Sequence, residues 1–390
     1  MKKYQVSIVK KENKTLKDTV RQAVDYIGGF RAYIKPGQRV MLKPNYTGDL
    51  TPQSGAVTSV EIQEAVIELL NEAGVTDIAI GEGCGTIHIG TMKIFENVGV
   101  AEMAQRHGVN LVDLNLCKSI EMSHADFKEL ESVRIAEEIY KYDLIINLPV
   151  MKTHAQCVFT CAVKNMKGAV APAEKRRFHA IDLHQAIADF NLILPKTLTI
   201  VDGIVAQEGM GPAEGKPVPL GIVMAGANQV AVDGVAMAVM KIPPELVKHV
   251  QNAQKLGIGS CRLEDIQVLG EKPDQFGHAF ELAKTDLKEY EGVEIYEQNA
   301  CSGCINSLVI ALNRMQKQGD LHRFKDLQVT IGTGQANCEA KKLFFIGKCS
   351  RRNYEKRCGE AAGCYFIPGC APAALEIEER IREVYGIDRP

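Results

Sequence analysis

Residues 144–154 read LIINLPVMKTH. A short apolar run at the start is followed within a few residues by a proline, a lysine, a threonine and a histidine. The apolar run is typical of a buried strand, and the polar residues after it are typical of a binding loop. The same succession recurs along the first 290 residues. It predicts an α/β region with a mostly parallel sheet, in which the residues that bind a ligand follow the strands.

Short apolar segments and amphipathic segments alternate in this region. Strands are predicted at residues 6–9, 40–42, 78–80, 111–114, 144–147, 198–201 and 222–225, and helices at residues 16–26, 60–73, 183–194 and 230–240. A chain of 390 residues with 46% apolar content can bury the core of one large or two ordinary domains. The polar stretch 271–289 is the best boundary, which gives domains at 1–290 and 291–390.

The loops after the strands are rich in cations and amides. The candidate anion-binding residues are Lys43, Asn45, Lys152, Thr153, Thr160, Lys164, Asn165 and Lys167. Lysine supplies a compact positive charge with three donors, and asparagine and threonine add neutral donors, which together suit a carboxylate or a phosphate. Thr160 also stands where it can cap a short helix that faces the same anion. A solvated side chain is the alternative for each lysine alone, but their concentration favours a site for a small anionic substrate.

Histidine and acidic residues provide candidates for proton transfer. His154, close to Lys152 in the sequence, is the preferred general acid, and Lys152 and Lys164 are expected to act with it. His184 is a weaker candidate. Three carboxylates that follow strands and lie beside glycines are assigned to the substrate site: Glu82, Asp202 and Glu208. Each can bind a divalent metal or transfer a proton, and the alternative is a turn carboxylate that accepts local amide hydrogen bonds.

Two glycine-rich segments do not complete a nucleotide-binding motif. Residues 81–85 read GEGCG and lack the lysine and Ser/Thr of a nucleoside-triphosphate loop. Residues 209–212 read GMGP, and the proline breaks the helix that a dinucleotide fingerprint requires. Neither ATP nor NAD is predicted. The net charge of −2 also favours neither nucleic acid nor an anionic membrane as a partner.

Seven of the twelve cysteines fall in the last 90 residues, and the other five are scattered singly. Four of the seven have spacings that a cubane iron–sulfur cluster can use: Cys301, Cys304, Cys349 and Cys370. Zinc and buried free thiols are alternatives, although structural zinc usually takes two short ligand pairs. A disulfide framework suits small secreted domains, whereas this chain begins without an apolar leader and has no apolar run of membrane-spanning length. A cytoplasmic protein with reduced thiols is therefore expected.

The last 100 residues predict a second, smaller α/β domain. Strands are predicted at 293–296, 342–347 and 364–367, each just before a proposed cysteine ligand, and helices at 305–315 and 373–385. Because strand ends of a parallel sheet meet at one edge, three loops can converge on one cluster.

The motifs CSGC at 301–304, GKC at 347–349 and PGCAP at 368–372 resemble the proximal-cluster domain of nickel–iron hydrogenase small subunits and of the cluster-bearing small subunit of complex I. The resemblance covers residues 291–390 and implies a [4Fe-4S] cluster on the four cysteines in a flavodoxin-like domain. Ala371 stands where that family usually has a proline. Cys338, Cys358 and Cys364 have no counterpart, so they are either ordinary thiols or ligands of a second, unidentified metal.

Four separated motifs in the first region carry another resemblance. They are LP and KTH within 148–154, T, KN and G within 160–168, VDG and EGMGP within 201–212, and AVD at 231–233. They resemble the domain of unknown function 362 family over about residues 39–240. The family is mostly uncharacterised and its members often carry iron–sulfur modules, so the resemblance implies a redox role without naming a substrate.

Two classes of function follow. In the first, the protein is a reductase or redox-linked lyase that acts on a small carboxylate or phosphate and receives electrons from a protein donor such as a ferredoxin or flavodoxin. In the second, it is a non-catalytic electron-transfer or metallocofactor-maturation protein that serves a partner enzyme. The packing of anion-binding residues into strand-end loops favours an enzyme. Assembly into a homo-oligomer is compatible with either class.

Overall fold

The computed structural model describes residues 4–85, 90–334, 342–358 and 363–389. The chain divides into two compact units. The first comprises residues 1–178 and 182–283, and the second comprises residues 284–390 together with 179–181.

The first unit is built on a mixed, mostly parallel sheet, as predicted. The strands of this unit are β1 (Tyr4–Lys10), β2 (Arg39–Lys43), β3 (Asp77–Glu82), β4 (Asn110–Asp113), β5 (Ser119–Met122), β6 (Val133–Ala136), β7 (Leu144–Asn147), β8 (Val150–His154), β9 (Val158–Thr160), β10 (Thr197–Met210), β11 (Glu214–Gly226) and β12 (Ile266–Gly270). The eight main strands of the sheet lie in the order β12-β1-β11-β10-β7-β2-β3-β4, with β8 paired to β10 and β9 paired to β8. Only the pairs β1·β11, β10·β11 and β8·β9 are antiparallel in this sheet as described.

Helices cover this sheet and bury its apolar side chains. They are α1 (Leu16–Asp25), α2 (Val60–Glu72), α3 (Thr91–Asn97), α4 (Val100–His107), α5 (Ala162–Asn165), α6 (Pro172–Ala180), α7 (Leu183–Asn191), α8 (Gln229–Met240) and α9 (Lys248–Lys255). One core cluster joins α1, α2 and α4 to alternate residues of the central strands, such as Val40 and Leu42 of β2. The alternation follows from the two-residue period of a strand. Helix α8 is apolar nearly all round and packs on β1, β10 and β11.

The sequence prediction failed for one segment that matters for the site. Residues 150–154 were expected to form a loop, but they form β8, which pairs with β10 and β9. Pro149 ends the pairing of β7 and the chain resumes as a new strand. Lys152 and His154 therefore stand on a strand, and Lys164 stands on the short helix α5, so these three residues do not lie in the strand-end loops in which they were predicted.

In its described residues, the second unit contains β13 (Val293–Gln298), α10 (Ser302–Lys317), β14 (Leu327–Gly332), β15 (Leu343–Ile346), α11 (Arg351–Cys358), β16 (Cys364–Ile367) and α12 (Ala374–Tyr385). These four strands form a parallel sheet in the order β13-β14-β15-β16. The predicted small parallel α/β domain is present. Its strands follow one another in chain order, whereas a flavodoxin sheet has the order 2-1-3-4-5. Within the described ranges, no helix is both long enough and apolar enough to span a membrane.

Cys338, Cys358 and Cys364 are the three C-terminal cysteines without a predicted role. Cys364 is disulfide-bonded, so it is not an ordinary free thiol. Cys338 lies outside the described residues, and only the backbone of Cys358 is described.

Candidate functional site

A buried ion pair lies where the parallel strands β2 and β3 end. The Nζ atom of Lys43, at the end of β2, lies 2.9 Å from Oε2 of Glu82, at the end of β3, and both side chains are almost fully buried. The Glu82 carboxylate also accepts hydrogen bonds from the backbone N–H groups of Tyr46 and Gly83. Glu82 is thus fully engaged as the counter-ion of Lys43 and as a local amide acceptor.

Three asparagine side chains connect this ion pair to the next lysine. Asn45 Nδ2 donates to Asn165 Oδ1 at 2.9 Å, and Asn165 Nδ2 donates to Asn147 Oδ1 at 2.7 Å. Lys152 Nζ donates to Asn45 Oδ1 at 2.5 Å, and Lys43 Nζ lies 3.5 Å from Asn165 Oδ1. The loop after β2, the end of β7, the strand β8 and the helix α5 therefore contribute to one continuous polar network.

Lys152 is a buried cation with neutral partners. Its Nζ atom donates to Asn45 Oδ1 and to the carbonyl of Ala56, and its exposed fraction is 1%. Burial, and to a smaller extent the nearby Lys164, lower the pKa of Lys152 to about 7. A carboxylate or phosphate beside Lys152 would supply the missing countercharge and favour the protonated form.

His154 and Lys164 form a close pair, with Nε2 of the ring 2.9 Å from Nζ. The other ring nitrogen, Nδ1, accepts hydrogen bonds from the backbone N–H groups of Gln156 and Cys157. In a neutral ring the proton is then on Nε2, which donates to Lys164, so Lys164 accepts as an unprotonated amine. Burial lowers the pKa of Lys164, in agreement with this arrangement. The partner of His154 is thus Lys164, and not Lys152 as the sequence suggested.

Two further lysines border the same group. Lys167 is half-buried, and desolvation lowers its pKa to about 7. Lys175, on α6, donates to the carbonyl of Gly83 at 2.8 Å and to Asn115 Oδ1 at 2.6 Å, and burial lowers its pKa to about 8. Sequence reasoning missed Lys175, because its basic surroundings in the sequence are typical of a surface helix.

Two glycines allow the close approach of these groups. A methyl group on Gly168 would lie 2.7 Å from Cε and 2.8 Å from Nζ of Lys43. A methyl group on Gly83 would lie 2.6 Å from Nζ of Lys175. Lys43 and Lys175 thus pack directly on backbone. We call the set of Lys43, Lys152, Lys164, Lys167 and Lys175 the lysine group.

The helix α5 that carries Lys164 is held by an aspartate that the sequence prediction did not include. Asp233, on α8, accepts hydrogen bonds from the backbone N–H groups of Ala162 at 2.6 Å and Val163 at 3.1 Å. Burial raises the pKa of Asp233 to about 7. The expectation that Thr160 caps this helix was wrong: the residue at the cap position is Cys161, without a side-chain cap bond, and Asp233 satisfies the first N–H groups from another helix.

Three predicted site residues, Thr153, Asp202 and Glu208, bond to other parts of the first unit. Within the described chain they make no hydrogen bond to the lysine group. Thr153 donates to the carbonyl of Gly209. Asp202 accepts from the backbone and the hydroxyl of Ser59, and burial raises its pKa. Glu208 lies 2.8 Å from Nε2 of His278. Asp202 and Glu208 both stand on β10 and accept hydrogen bonds mainly from residues that are distant in the sequence, so neither is a turn carboxylate with purely local donors.

The structure also brings together two histidines and a cysteine that the sequence did not predict to be neighbours. The ligand atoms of Cys157, His184 and His249 lie within 4.8 Å of one another. Cys157 and His249 are fully buried. Burial lowers the pKa of both histidines. The three residues stand on the β8–β9 hairpin, α7 and α9, and their sequence separations carry no local metal-binding motif. This group can hold a metal ion.

In the second unit, the four predicted cysteine ligands follow strand ends of one sheet. Cys301 follows β13 and caps α10, Cys349 follows β15, and Cys370 follows β16. The neighbouring Cys304 thiol and the N–H groups at the start of α10 lie near the Cys301 sulfur and lower its pKa to about 5. The contact with Cys301 raises the pKa of Cys304, as do burial and the charges of Cys349 and Cys370.

Comparison with known proteins gives one family and a few relatives. Thylakoid-associated protein sll1697 of Synechocystis sp. is 28% identical over 258 residues, which cover 63% of this chain and 76% of that protein. The lactate racemase apoprotein from Thermoanaerobacterium thermosaccharolyticum aligns with a TM-score of 0.38 at 13% identity over 61% of this chain. A protein from Thermotoga maritima aligns with a TM-score of 0.35 at 10% identity over 61% of this chain.

The match covers only 57% and 59% of those two solved chains. The family model described as Domain of unknown function (DUF362) matches residues 40–238, more than half of the chain and the region that contains all five residues of the lysine group. The chain therefore belongs to the DUF362 family.

Proposed function

We propose that this protein is an iron–sulfur redox protein in which the first unit binds a small carboxylate or phosphate at the lysine group and the second unit binds a [4Fe-4S] cluster. In this proposal the protein is a reductase or redox-linked lyase, and a ferredoxin or flavodoxin donates the electrons. The substrate class comes from the first unit, and the redox character comes from the cysteines of the second.

The observation that carries the substrate class is the pairing of the lysines. In the described parts of the chain, Lys152, Lys164 and Lys175 bond to neutral groups, whereas Lys43 has a salt bridge to Glu82. A buried ammonium without a counter-ion is costly, so proteins either neutralise it or pair it with an anion. Lys164 and Lys167 are only half-buried, so an anion can reach the group from solvent.

The chain's own residues suggest how such an anion would be handled. Lys152 and Lys164 would bind its oxygens, and a protonated Lys152 would neutralise its charge. His154 holds a proton on Nε2 against Lys164, so this pair can deliver or accept a proton next to the bound anion. The asparagine network fixes Lys152 and limits the loss of side-chain entropy on binding.

The cysteines of the second unit fit a cluster. Cys301 and Cys304 approach each other at the N-terminus of α10, whose N–H groups lie near the Cys301 sulfur, and hydrogen bonds to the ligand sulfurs are one means by which proteins tune such clusters. Gly347 packs against the sulfur of Cys304, because a methyl group there would lie 2.8 Å from it. When bound, a [4Fe-4S] cluster supplies single-electron transfer. Cys349 and Cys370 are exposed, which leaves that side accessible to a protein electron donor.

The substrate class is tested by thermal unfolding of the full chain with a panel of small carboxylates and phosphates. We expect at least one anion to raise the melting temperature of the wild type, and we expect Lys164→Met to lose that shift. Lys118→Met is the matched control, because the Lys118 side chain is 78% exposed and bonds to Glu137. No shift with any anion, or equal shifts in both variants, would favour the alternative of a non-catalytic electron-transfer or maturation protein.

A further inference from the structure

We propose that Cys157, His184 and His249 bind one divalent first-row transition-metal ion, with a fourth coordination position open to water or to a donor atom of the substrate. This site is separate from the four cysteines of the second unit. It also goes beyond the anion site, since it does not require that the lysine group bind anything.

Three separate elements bring the ligands together. Cys157 lies in the turn of the β8–β9 hairpin, His184 lies in the first turn of α7, and His249 lies in the first turn of α9. The helices α7 and α9 pack on each other, and the two imidazole rings are stacked with centroids 6.1 Å apart. All three ligand atoms lie within 4.8 Å of one another, a separation that small side-chain movements would close to the geometry of one ion.

The polar atoms of this group lack the partners that a structural role would give them. Within the described residues, neither ring nitrogen of His249 has a hydrogen-bond partner, although the side chain is fully buried, and Nδ1 of His184 also has none. Buried polar atoms in folded proteins nearly always have a hydrogen-bond partner, and a bound ion is one of the accepted explanations for an exception. A metal would satisfy one nitrogen on each ring.

The sulfur and nitrogen donor atoms of these three side chains determine which metal ions the site can bind. One thiolate and two imidazoles suit zinc and its first-row neighbours, whereas magnesium and calcium require oxygen ligands. Structural zinc sites have four protein ligands, and catalytic sites have three with an open position. Three protein ligands therefore indicate an ion that can take an additional donor.

The metal group is joined to the lysine group by two hydrogen bonds. The backbone N–H of Cys157 donates to Nδ1 of His154 at 3.3 Å, and Nε2 of His154 lies 2.9 Å from Nζ of Lys164. An anion held by Lys164 would thus lie close to the turn that carries Cys157. The site suits an anionic oxygen ligand that is shared between the ion and a lysine.

The test is an anaerobic titration of the metal-stripped full chain with cobalt(II), which reports a thiolate ligand through its charge-transfer absorption. Bound cobalt is counted after gel filtration. We expect Cys157→Ser to lose about one cobalt ion per chain together with its thiolate absorption. We expect His249→Asn to weaken this binding more than the ~10–100-fold that is typical when only a second-shell residue is changed.

Two controls separate this site from the others. His124→Asn changes an exposed histidine and should bind cobalt as the wild type does. Cys304→Ser disables the proposed cluster ligands and should keep the Cys157-dependent ion, so failure of the cluster proposal and failure of this one are distinguishable. Circular dichroism confirms that each variant is folded, and if Cys157→Ser unfolds, His249→Asn decides. Equal cobalt binding by Cys157→Ser, His249→Asn and the wild type would overturn the proposal, as would loss of all bound cobalt in Cys304→Ser.

Discussion

The Nζ atom of Lys152 lies 2.5 Å from Oδ1 of Asn45, so that a buried lysine is held by a neutral amide and has no carboxylate partner in the described chain. Burial lowers the pKa of Lys152 to about 7, from an ordinary value of 10.5. The protonation state of this side chain is therefore sensitive to any anion that enters the site.

This relationship predicts that anion affinity depends on pH. Below pH 7 the free protein carries a protonated Lys152, whereas above pH 7 it must take up a proton to bind the anion. We expect affinity to fall by up to about tenfold per pH unit above 7 and proton uptake to accompany binding at pH 8. Calorimetric titration in buffers of different ionisation enthalpy measures both. Constant affinity between pH 6 and 9 would contradict the assignment, and Lys152→Met should show a flatter profile.

The buried ion pair predicts a large loss of stability when one charge is removed. Glu82→Gln leaves the Lys43 ammonium buried without its counter-ion, and we expect the free energy of unfolding to fall by about 3–5 kcal/mol. Glu102→Gln is the matched control, because the Glu102 side chain is 79% exposed and should change stability by less than about 0.5 kcal/mol. Urea unfolding of both variants checks this. Equal stabilities would show that Glu82 and Lys43 do not depend on each other.

The close packing of Gly168 predicts that a single methyl group disturbs the site. In Gly168→Ala the new methyl would meet Glu82 and Lys43, so we expect a loss of about 1–3 kcal/mol in stability and a weaker response to anions. In Gly277→Ala the methyl meets nothing within 4 Å, so this variant should behave as the wild type. Thermal unfolding with and without the best anion distinguishes the two. A Gly168→Ala protein with full stability and full anion response would show that the site is looser than described.

Because Asp233 holds the start of α5, we predict that it positions Lys164 for anion binding. Asp233→Ala leaves the N–H groups of Ala162 and Val163 without acceptors, so we expect stability to fall by about 1–3 kcal/mol for each buried donor. Because α5 carries Lys164, anion affinity should also fall, while Asp274→Ala on the exposed surface should change neither. Calorimetry at a temperature where both variants are folded separates the two effects. A loss of stability with unchanged anion affinity would limit Asp233 to a structural role.

The elements with strong local signals could be predicted from the sequence. The strands at 40–42 and 144–147 and the helices at 60–73 and 230–240 were predicted within one or two residues, because apolar periodicity and burial coincide there. The separate two-stranded sheet of β5 and β6 and the strands β8 and β9 were missed. Strand β8 joins the main sheet through distant partners, such as Gln207 opposite Lys152, and a local pattern does not contain that information.

The candidate site was predictable only in part, for the same reason. Lys43, Lys152, Lys164 and Asn165 were found because they follow or interrupt apolar strands, and the structure brings Lys43, Lys152 and Asn165 into one hydrogen-bond network. Lys164 bonds instead to His154. Cys157, His184 and His249 come from three elements that are far apart in sequence, so only the packing of α7 and α9 reveals them as a group. His154 was found with the wrong partner, because its ring bonds to Lys164 on α5, and only the folding of the chain brings these two residues together.

The central claim is that the second unit makes this a redox protein, and the most direct test is the iron and acid-labile sulfide content of the full chain prepared anaerobically and reconstituted with both. We predict about four irons and four sulfides per chain, with broad charge-transfer absorption that dithionite bleaches, and loss or remodelling of this absorption in Cys370→Ser. Cys261→Ser, which changes a buried cysteine of the first unit, should retain the full content. Stoichiometric zinc without labile sulfide, or equal iron in Cys370→Ser and the wild type, would contradict the account.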